Sequence, residues 1–505
     1  MRLSDAEHMR EADRIAIQER NVPSAALMRT AARHLAQAAL EQMGTNRRAV
    51  LFCGSGNNGG DGVAAAEYLL EQGASCRVFL VGSRARMTGD TQEMERGLLA
   101  AGGRLEDFDP EDPELPGLLS GAGVIVDAIF GVGLNRPLRD KALQAVRLIN
   151  AAAAPVIAAD IPSGVSADTG QVLGEAVHAD MTVTFSMAKI GHFAEPGCVC
   201  AGDVRVCGIG LPEELLERAA TAVEAATRAD VRLPRRPRIS HKGDYGKLLI
   251  VGGSVGYTGA PSLCSNAAMR SGAGLVYLGV PADIYPVSAV KNDGAMPFPL
   301  PGDGTGKLAA SAEHAILEKL ETCGTLVIGP GLGRSEALTM LVRDLLEQTA
   351  ATTVIDADAL FAVAQDVSIL RRMKRTPVLT PHEGEFARLF PQKTGVRLED
   401  ARTFARENQC ILVLKGHRTI TAFPDGTAWI NTTGNPGMAK GGSGDVLAGM
   451  IGALLGQLPA KQAVTTAVWL HGRAGDLCAA RLGEYGMTPM DLVHAIPEAT
   501  LEIVT

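Results

Sequence analysis

A chain of 505 residues, 46% of them hydrophobic, exceeds the roughly 100–200 residues of one ordinary domain and holds material for more than one core. Its 48 Lys and Arg against 56 Asp and Glu leave a net charge of −8, which argues against a protein devoted to a nucleic-acid backbone. No run reaches the ~18 apolar residues of a membrane span, and Met1–Arg20 is charged with no apolar signal core. The nine cysteines are an odd number without metal-type spacing, and Cys198 and Cys200, close neighbours with no second pair, read as buried thiols. A reducing compartment follows, so the expectation is a soluble, cytoplasmic protein with no nucleic-acid or membrane partner.

In chain order, Ala6–Ala39 reads as one or two helices broken at Pro23. Continuous apolar runs at Ala49–Cys53, Cys76–Val81, Val124–Asp127, Val156–Asp160 and Met181–Phe185 read as buried parallel strands. Helical stretches such as Gly62–Glu71 and Leu138–Ala151 separate them, which predicts a doubly wound sheet. The pattern stops near Leu211-Pro212. An Ala/Glu/Arg helix over Glu213–Arg228 and the basic run Arg232–Arg238 follow, a solvated linker or a phosphate-binding stretch. A second α/β series then begins, with strands at Lys247–Val251, Leu275–Val280, Leu326–Ile328, Thr353–Asp356, Val378–Thr380 and Ile411–Leu414. Thr419–Phe423 and Ala428–Asn431 flank a Pro-Asp-Gly hairpin signal, and helices are expected at Gly444–Leu455 and Ala460–Arg481. The fold class is α/β, in domains 1–215 and 239–505 with a linker over 216–238.

The first strand runs into Gly54-Ser-Gly-Asn-Asn-Gly-Gly-Asp-Gly62 and then a helix. Strand, glycine loop and helix N-terminus seat an anion, because free N–H groups point outward and the helix dipole favours negative charge. Asn57, Asn58 and Asp61 add oxygen atoms to that loop, or else serve as turn and cap residues. Asp127 ends another strand before Gly131-Val-Gly-Leu-Asn-Arg136, and Asp160-Ile-Pro-Ser-Gly164 ends the next. These loops should meet at the carboxyl edge of the sheet. There Asn58, Asp127 and Ser163 offer oxygens to a hard cation, and Asp160 is an acid or base, or a cap.

In the second half, Gly441-Gly-Ser-Gly-Asp445 opens a helix. Gly441, Gly442 and Gly444 can present N–H groups to a transferring phosphoryl group, with Asp445 placed to take a proton from the attacking hydroxyl. A P-loop string is missing. Gly252–Ala260, Gly329–Arg334, Thr380–Glu385 and Lys415-Gly-His-Arg-Thr419 lie at further strand ends, the last suited to nucleotide phosphates.

These strings, above all Asn57–Asp61, Asp160–Gly164, Thr380–Glu385 and Gly441–Asp445, resemble the bifunctional NAD(P)H-hydrate repair enzymes with YjeF-type N- and C-terminal domains. The resemblance runs from about Ala6 to Ile496. It implies two three-layer αβα domains, an N-terminal Rossmann-like epimerase of the R and S hydrates and a C-terminal ribokinase-like, S-specific dehydratase. By that pattern Asn57, Asn58, Gly59, Gly60 and Asp61, with Gly131, Val132, Gly133, Leu134, Asn135, Arg136 and Pro137, hold the hydrate. Asp160 contacts it as the acid/base group, and Asn58, Asp127 and Ser163 hold K⁺. Ala260, Gly331, Gly333, His382 and Asp445 would face the hydrate in the second half. Lys415, Gly416, His417, Arg418, Thr419 and Gly444 would hold ADP or ATP, with Mg²⁺ on its phosphates. The nucleotide phosphorylates the ring hydroxyl and phosphate then leaves, a better leaving group than hydroxide. NADHX, NADPHX and ADP are the implied partners, and a homo-oligomer is expected. The rival readings are a small-molecule kinase of ribokinase type with a regulatory nucleotide-binding domain, and an N-terminal half that binds without catalysing.

Overall fold

The computed structural model describes residues 1–505. The chain divides into two compact units, Arg2–Val223 and Glu224–Thr505, with Met1 counted in the second. Each has its own sheet.

In the first unit the strands are β1 (Arg48–Cys53), β2 (Ser75–Leu80), β3 (Leu105–Asp107), β4 (Val124–Ala128), β5 (Val156–Ala159), β6 (Met181–Phe185) and β7 (Asp203–Cys207). They form one seven-stranded sheet ordered β3-β2-β1-β4-β5-β6-β7, and every pairing in it is parallel. The central strands are buried on both faces, which is why they are runs of Val, Ile, Leu and Ala and do not alternate. Helices Ser24–Met43, Asn57–Glu71 and Gly89–Ala100 pack on one face through Leu35, Val63, Leu69 and Met94. Leu115–Ser120 and Asp140–Ala151 cover the other through Leu119, Val146 and Ile149. The strand order reverses between β1 and β4, where an open parallel sheet has its ligand crevice.

The second unit contributes β8 (Val223–Ala226), β9 (Lys247–Val251), β10 (Leu275–Pro281), β11 (Met296–Leu300), β12 (Thr325–Ile328), β13 (Thr352–Ile355), β14 (Val378–Leu379), β15 (Ile411–Leu414), β16 (Ile420–Ala422) and β17 (Ala428–Asn431). Their order is β11-β10-β9-β12-β13-β14-β15-β16-β17-β8. The expected Pro-Asp-Gly hairpin is there, as the antiparallel pair β16–β17. Here the order reverses between β9 and β12. Helices Gly259–Arg270, Ser443–Leu455, Ala460–Gly486 and Pro489–Leu501 bury Cys264, Met450, Ile451, Trp469 and Ile496 against one face. The two three-layer α/β sheets meet the expected fold class.

One expectation fails. The helix read over Glu213–Arg228 stops at Ala219, and Val223–Ala226, inside the segment expected as linker, is the end strand beside β17. Ala and Glu favour a helix, but pairing with a sheet edge outweighs a propensity of a few tenths of a kcal/mol per residue. No helix is long and apolar enough to cross a membrane.

Candidate active sites

In the first unit, β1 delivers the chain into the tight turn Gly54–Gly56 and helix Asn57–Glu71 starts at once. The approach is so close that a Cβ on Gly59 would lie 1.8 Å from the Gly54 carbonyl oxygen, and one on Gly54 would lie 2.0 Å from that of Ile129. Only glycine lets the first helical turn sit against the ends of β1 and β4. Asn57 is exposed, Asn58 and Asp61 are half-buried, and Gly59 and Gly60 are buried beneath them. Asp61 is pushed well above the usual carboxylate range, by burial first and then by Asp160 and Asp13.

Asp127, one residue before the end of β4, is fully buried. Ser163 donates to it twice, from N–H to Oδ2 at 2.7 Å and from Oγ–H to Oδ1 at 2.6 Å. Ile129 N–H adds a bond to Oδ1. Burial nevertheless raises the Asp127 carboxyl to about 6, against the lowering by these bonds. The Phe130 carbonyl lies 3.4 Å from Ser163 Oγ, and the Asn58 side-chain Nδ2 is buried without a hydrogen-bond partner.

The loop 131–137 begins at this centre and leaves it. A Cβ on Gly131 would be 3.1 Å from Asn58 Oδ1 and 3.2 Å from Asp160 Oδ2, which places the three residues together. Val132 and Leu134 are half-buried, whereas Gly133, Asn135, Arg136 and Pro137 are exposed on the outer part of the loop. Asp160 follows β5 in a left-handed conformation, φ +65, which a non-glycine residue adopts at a cost of about 1 kcal/mol or more. Its carboxylate takes Lys189 Nζ at 2.5 Å and Thr184 Oγ1 at 3.1 Å, both on Oδ1. Burial pushes that carboxyl upward, but the Lys189 charge and its hydrogen bond outweigh burial and hold it below the usual range. Lys189, Thr184, His192 and Asp13 escaped the sequence reading. Their signal was weak, although Lys189 follows β6 by four residues and the strand-end rule points there.

The second unit builds its site at its own reversal. A Cβ on Gly331 would stand 3.2 Å from Ala260 Cβ, and one on Gly333 3.5 Å from Ser254 Oγ. Ser254 is buried and donates to the Gly331 carbonyl at 2.9 Å. Gly333 N–H in turn bonds Asp358 Oδ2 at 2.9 Å. Ala260, Gly331 and Gly333 are therefore one wall.

Lys415, at the end of β15, reaches back to Asp356 Oδ1 at 3.0 Å, an oxygen that Thr380 Oγ1 also holds at 2.7 Å. A Cβ on Gly444 would be 3.0 Å from Lys415 Nζ, so Lys415 and Gly444 adjoin. Gly416 and His417 are exposed, while Arg418 and Thr419 are half-buried. His382 shares a bridge pairing with Lys415. Its Nδ1 accepts from Gly384 and Glu385 N–H at 3.0 and 3.3 Å, capping helix Glu383–Leu389. This fixes Nδ1 as acceptor and leaves Nε2 as the donor, 3.6 Å from the Glu385 carboxylate.

Helix Ser443–Leu455 starts from Gly442 in the left-handed region, φ +107. The helix is held by two close approaches, a Gly449 Cβ position 2.0 Å from the Cys264 carbonyl oxygen and a Gly452 position 2.5 Å from a Val327 methyl. Asp445, in its first turn, is pushed up to about 7 by burial and by Asp356, with Lys415 opposing. A carboxyl poised near neutrality at a helix N-terminus, beside a lysine, suits proton transfer next to a bound anion.

Two anion cradles at two sheet reversals, each with a carboxylate at its mouth, define a two-domain α/β enzyme. A family model described as YjeF-related protein N-terminus matches residues 24–191, and one described as NAD(P)H-hydrate dehydratase matches residues 248–498. The bifunctional NAD(P)H-hydrate repair enzyme Nnr of Moorella thermoacetica is 40% identical, covering 98% of this chain and 96% of its own. That of Thermofilum pendens is also 40% identical, over 99% and 96%. The solved ADP/ATP-dependent NAD(P)H-hydrate dehydratase of Bacillus subtilis, co-crystallised with ATP and Mg²⁺, is 31% identical, with a TM-score of 0.47 over 55% of this chain and 98% of that one. The chain belongs to the bifunctional NAD(P)H-hydrate repair enzyme family.

Proposed function

We propose that the first unit interconverts the R and S hydrates of NADH and NADPH at Asp160, and that the second returns the S hydrate to NAD(P)H at Asp445, using ADP or ATP. The observation that carries the reading is the pair of carboxylates in opposite states, Asp160 held ionised and Asp445 raised to about 7, each at the mouth of an anion cradle.

In the first unit Asn57–Asp61 and the loop from Gly131 to Pro137 hold the hydrate, and Asp160 moves the proton of the ring hydroxyl. Asp127, Ser163 and Asn58 fit a K⁺ ion. They offer one carboxylate, a hydroxyl and the Oδ1 of a side-chain amide, and the Phe130 carbonyl stands beside them. Such an all-oxygen set with a single charge suits a large monovalent cation better than Zn²⁺ or Ca²⁺. The ion would neutralise Asp127 and fix the edge of the cradle.

In the second unit Asp445 takes the proton of the hydrate hydroxyl as that oxygen attacks the terminal phosphoryl group. The N–H groups of Gly441, Gly442 and Gly444 and the ammonium of Lys415 receive the charge that develops. Phosphate then departs with the C–O electron pair, a proton leaves the adjacent ring carbon, and the double bond is restored. Lys415–Thr419 and Gly444 hold the nucleotide, while Ala260, Gly331, Gly333 and His382 face the hydrate. Mg²⁺ would neutralise the nucleotide phosphates, next to the carboxylates of Asp445 and Asp356. All nine cysteines are free thiols, which supports a reducing, cytoplasmic setting. A homo-oligomer belongs to the same reading, since closed symmetric assemblies are common among soluble enzymes.

Recovery of reduced-nicotinamide absorbance from a mixture of both epimers, with ADP, Mg²⁺ and K⁺, tests the reading. Complete recovery is expected. Arrest at the S fraction would remove the epimerase assignment, and no recovery would remove both and favour a small-molecule kinase.

A further inference from the structure

Lys189 is a lysine that ordinary burial rules exclude, 2% exposed. Its three ammonium protons meet three acceptors, Asp160 Oδ1 at 2.5 Å, Thr184 Oγ1 at 2.8 Å and the Phe185 carbonyl at 3.2 Å. The backbone around it is clamped as well. Lys189 N–H donates to His192 Nδ1 at 3.0 Å, and His192 Nε2–H donates to the Asp160 carbonyl at 2.8 Å. Burial holds that imidazole neutral, lowering it to about 4. Ser4 adds a bridge pairing to Lys189, with its N–H on the Ala188 carbonyl and its own carbonyl accepting from Ile190.

Both side-chain bonds to Asp160 use Oδ1, while Oδ2 is the oxygen that stands against Gly131, 3.2 Å from where its Cβ would be, next to Asn58. We infer that Lys189 is a positioning residue for epimerisation, whose ammonium anchors Oδ1 of Asp160 and so turns Oδ2 toward the substrate cradle as the working oxygen. The inference rests on the epimerase reading of this unit.

The groups that face the ammonium make its role selective. Asp13 comes from helix Ala6–Arg14, Asp61 from Asn57–Glu71, and Asp160 and His192 from the loops after β5 and β6. Burial raises Asp13 to about 6 and Asp61 well above its ordinary value, whereas Asp160, bonded to the lysine, lies low. One cation among three carboxyl groups thus decides which of them stays ionised. With every N–H engaged, Lys189 has no lone pair to offer as a nucleophile to a ring-opened, aldehyde form of the hydrate.

The test uses the whole chain, whose dehydratase half reports epimerisation by consuming S hydrate as it forms. Wild-type protein must first convert R hydrate; failure at that point overturns the epimerase reading, before any variant is made. Lys189→Ala is expected to lower kcat for the R hydrate by about 100-fold, leave KM unchanged, and leave turnover of preformed S hydrate intact. Added ethylammonium should restore part of the lost kcat by refilling the cavity. Full epimerase activity without the amine, or a loss the amine does not restore, would overturn the inference. Should the alanine variant fold poorly, Lys189→Met is added to Asp160→Asn. No further loss beyond Asp160→Asn alone is expected, and a multiplicative loss would overturn it. Borohydride trapping of substrate on Lys189 would also overturn it, by making the residue a nucleophile.

Discussion

Ser163 grips Asp127 with both its backbone N–H, at 2.7 Å, and its hydroxyl, at 2.6 Å. The two residues close the gap between the ends of β4 and β5, and they do so around a carboxyl that burial has raised to about 6. A K⁺ ion bound there requires the ionised form. K⁺ should therefore raise the melting temperature of the first unit more at a unit above that pH than at a unit below it, because the proton competes with the metal. Differential scanning fluorimetry with KCl against choline chloride checks this. Asp127→Asn should abolish the difference.

The dehydratase should carry the opposite carboxylate signature to the epimerase. Asp445, raised to about 7, is a base only above that value. The kcat/KM for S hydrate should rise about tenfold per pH unit below 7 and level off above it. Asp445→Asn should lose at least about 100-fold and show no such limb. A wild-type profile flat from acid pH through 7 would remove Asp445 as the base.

His382 caps a helix and, on the proposed reading, also faces the hydrate, and a substitution can separate the two. Nδ1 caps helix Glu383–Leu389, while Nε2 stands 3.6 Å from the Glu385 carboxylate on a ring that is 59% exposed. Asparagine keeps the cap, because its side-chain oxygen reaches the same N–H groups. His382→Asn should therefore melt like wild type and raise KM for S hydrate ~5-fold, the value of one hydrogen bond of about 1 kcal/mol. His382→Ala should cost about 1 kcal/mol of stability in addition. Steady-state kinetics and thermal melts on the two variants distinguish the two roles.

Gly59→Ala should injure only one half. Its methyl would lie 1.8 Å from the Gly54 carbonyl oxygen, and backbone must move to admit it. Overpacking of this kind costs about 1–3 kcal/mol. The expected result is a lowered melting transition with epimerase activity lost and turnover of S hydrate retained.

The buried middle of each sheet was legible from sequence because strands covered on both faces, such as Val124–Ala128 and Ile411–Leu414, are unbroken apolar runs. The edges were not. β3 is three residues long, β7 reads Asp-Val-Arg-Val-Cys with a largely solvated face, and β11 carries two prolines. Val223–Ala226 was masked by helix-favouring neighbours. In the sites, the glycine loops were visible because they are contiguous in sequence. Lys189 was not, since a lysine reads as solvated until folding brings Asp160, Thr184 and the Phe185 carbonyl around it. Asp356 was hidden differently, inside a predicted strand that ends one residue earlier, at Ile355.

The turn that carries Asp445 is anchored where Gly449 meets the Cys264 carbonyl and Gly452 meets Val327. Backbone touches backbone at the first of these, so no rotamer change can absorb a shift between the two helices. Asp445, the carboxylate proposed for dehydration, is thus bolted to the protein interior, not carried on a pliable rim. Gradual wear of activity has no structural route here: warming should leave the site whole until this helix pair parts, and then extinguish it in a single event.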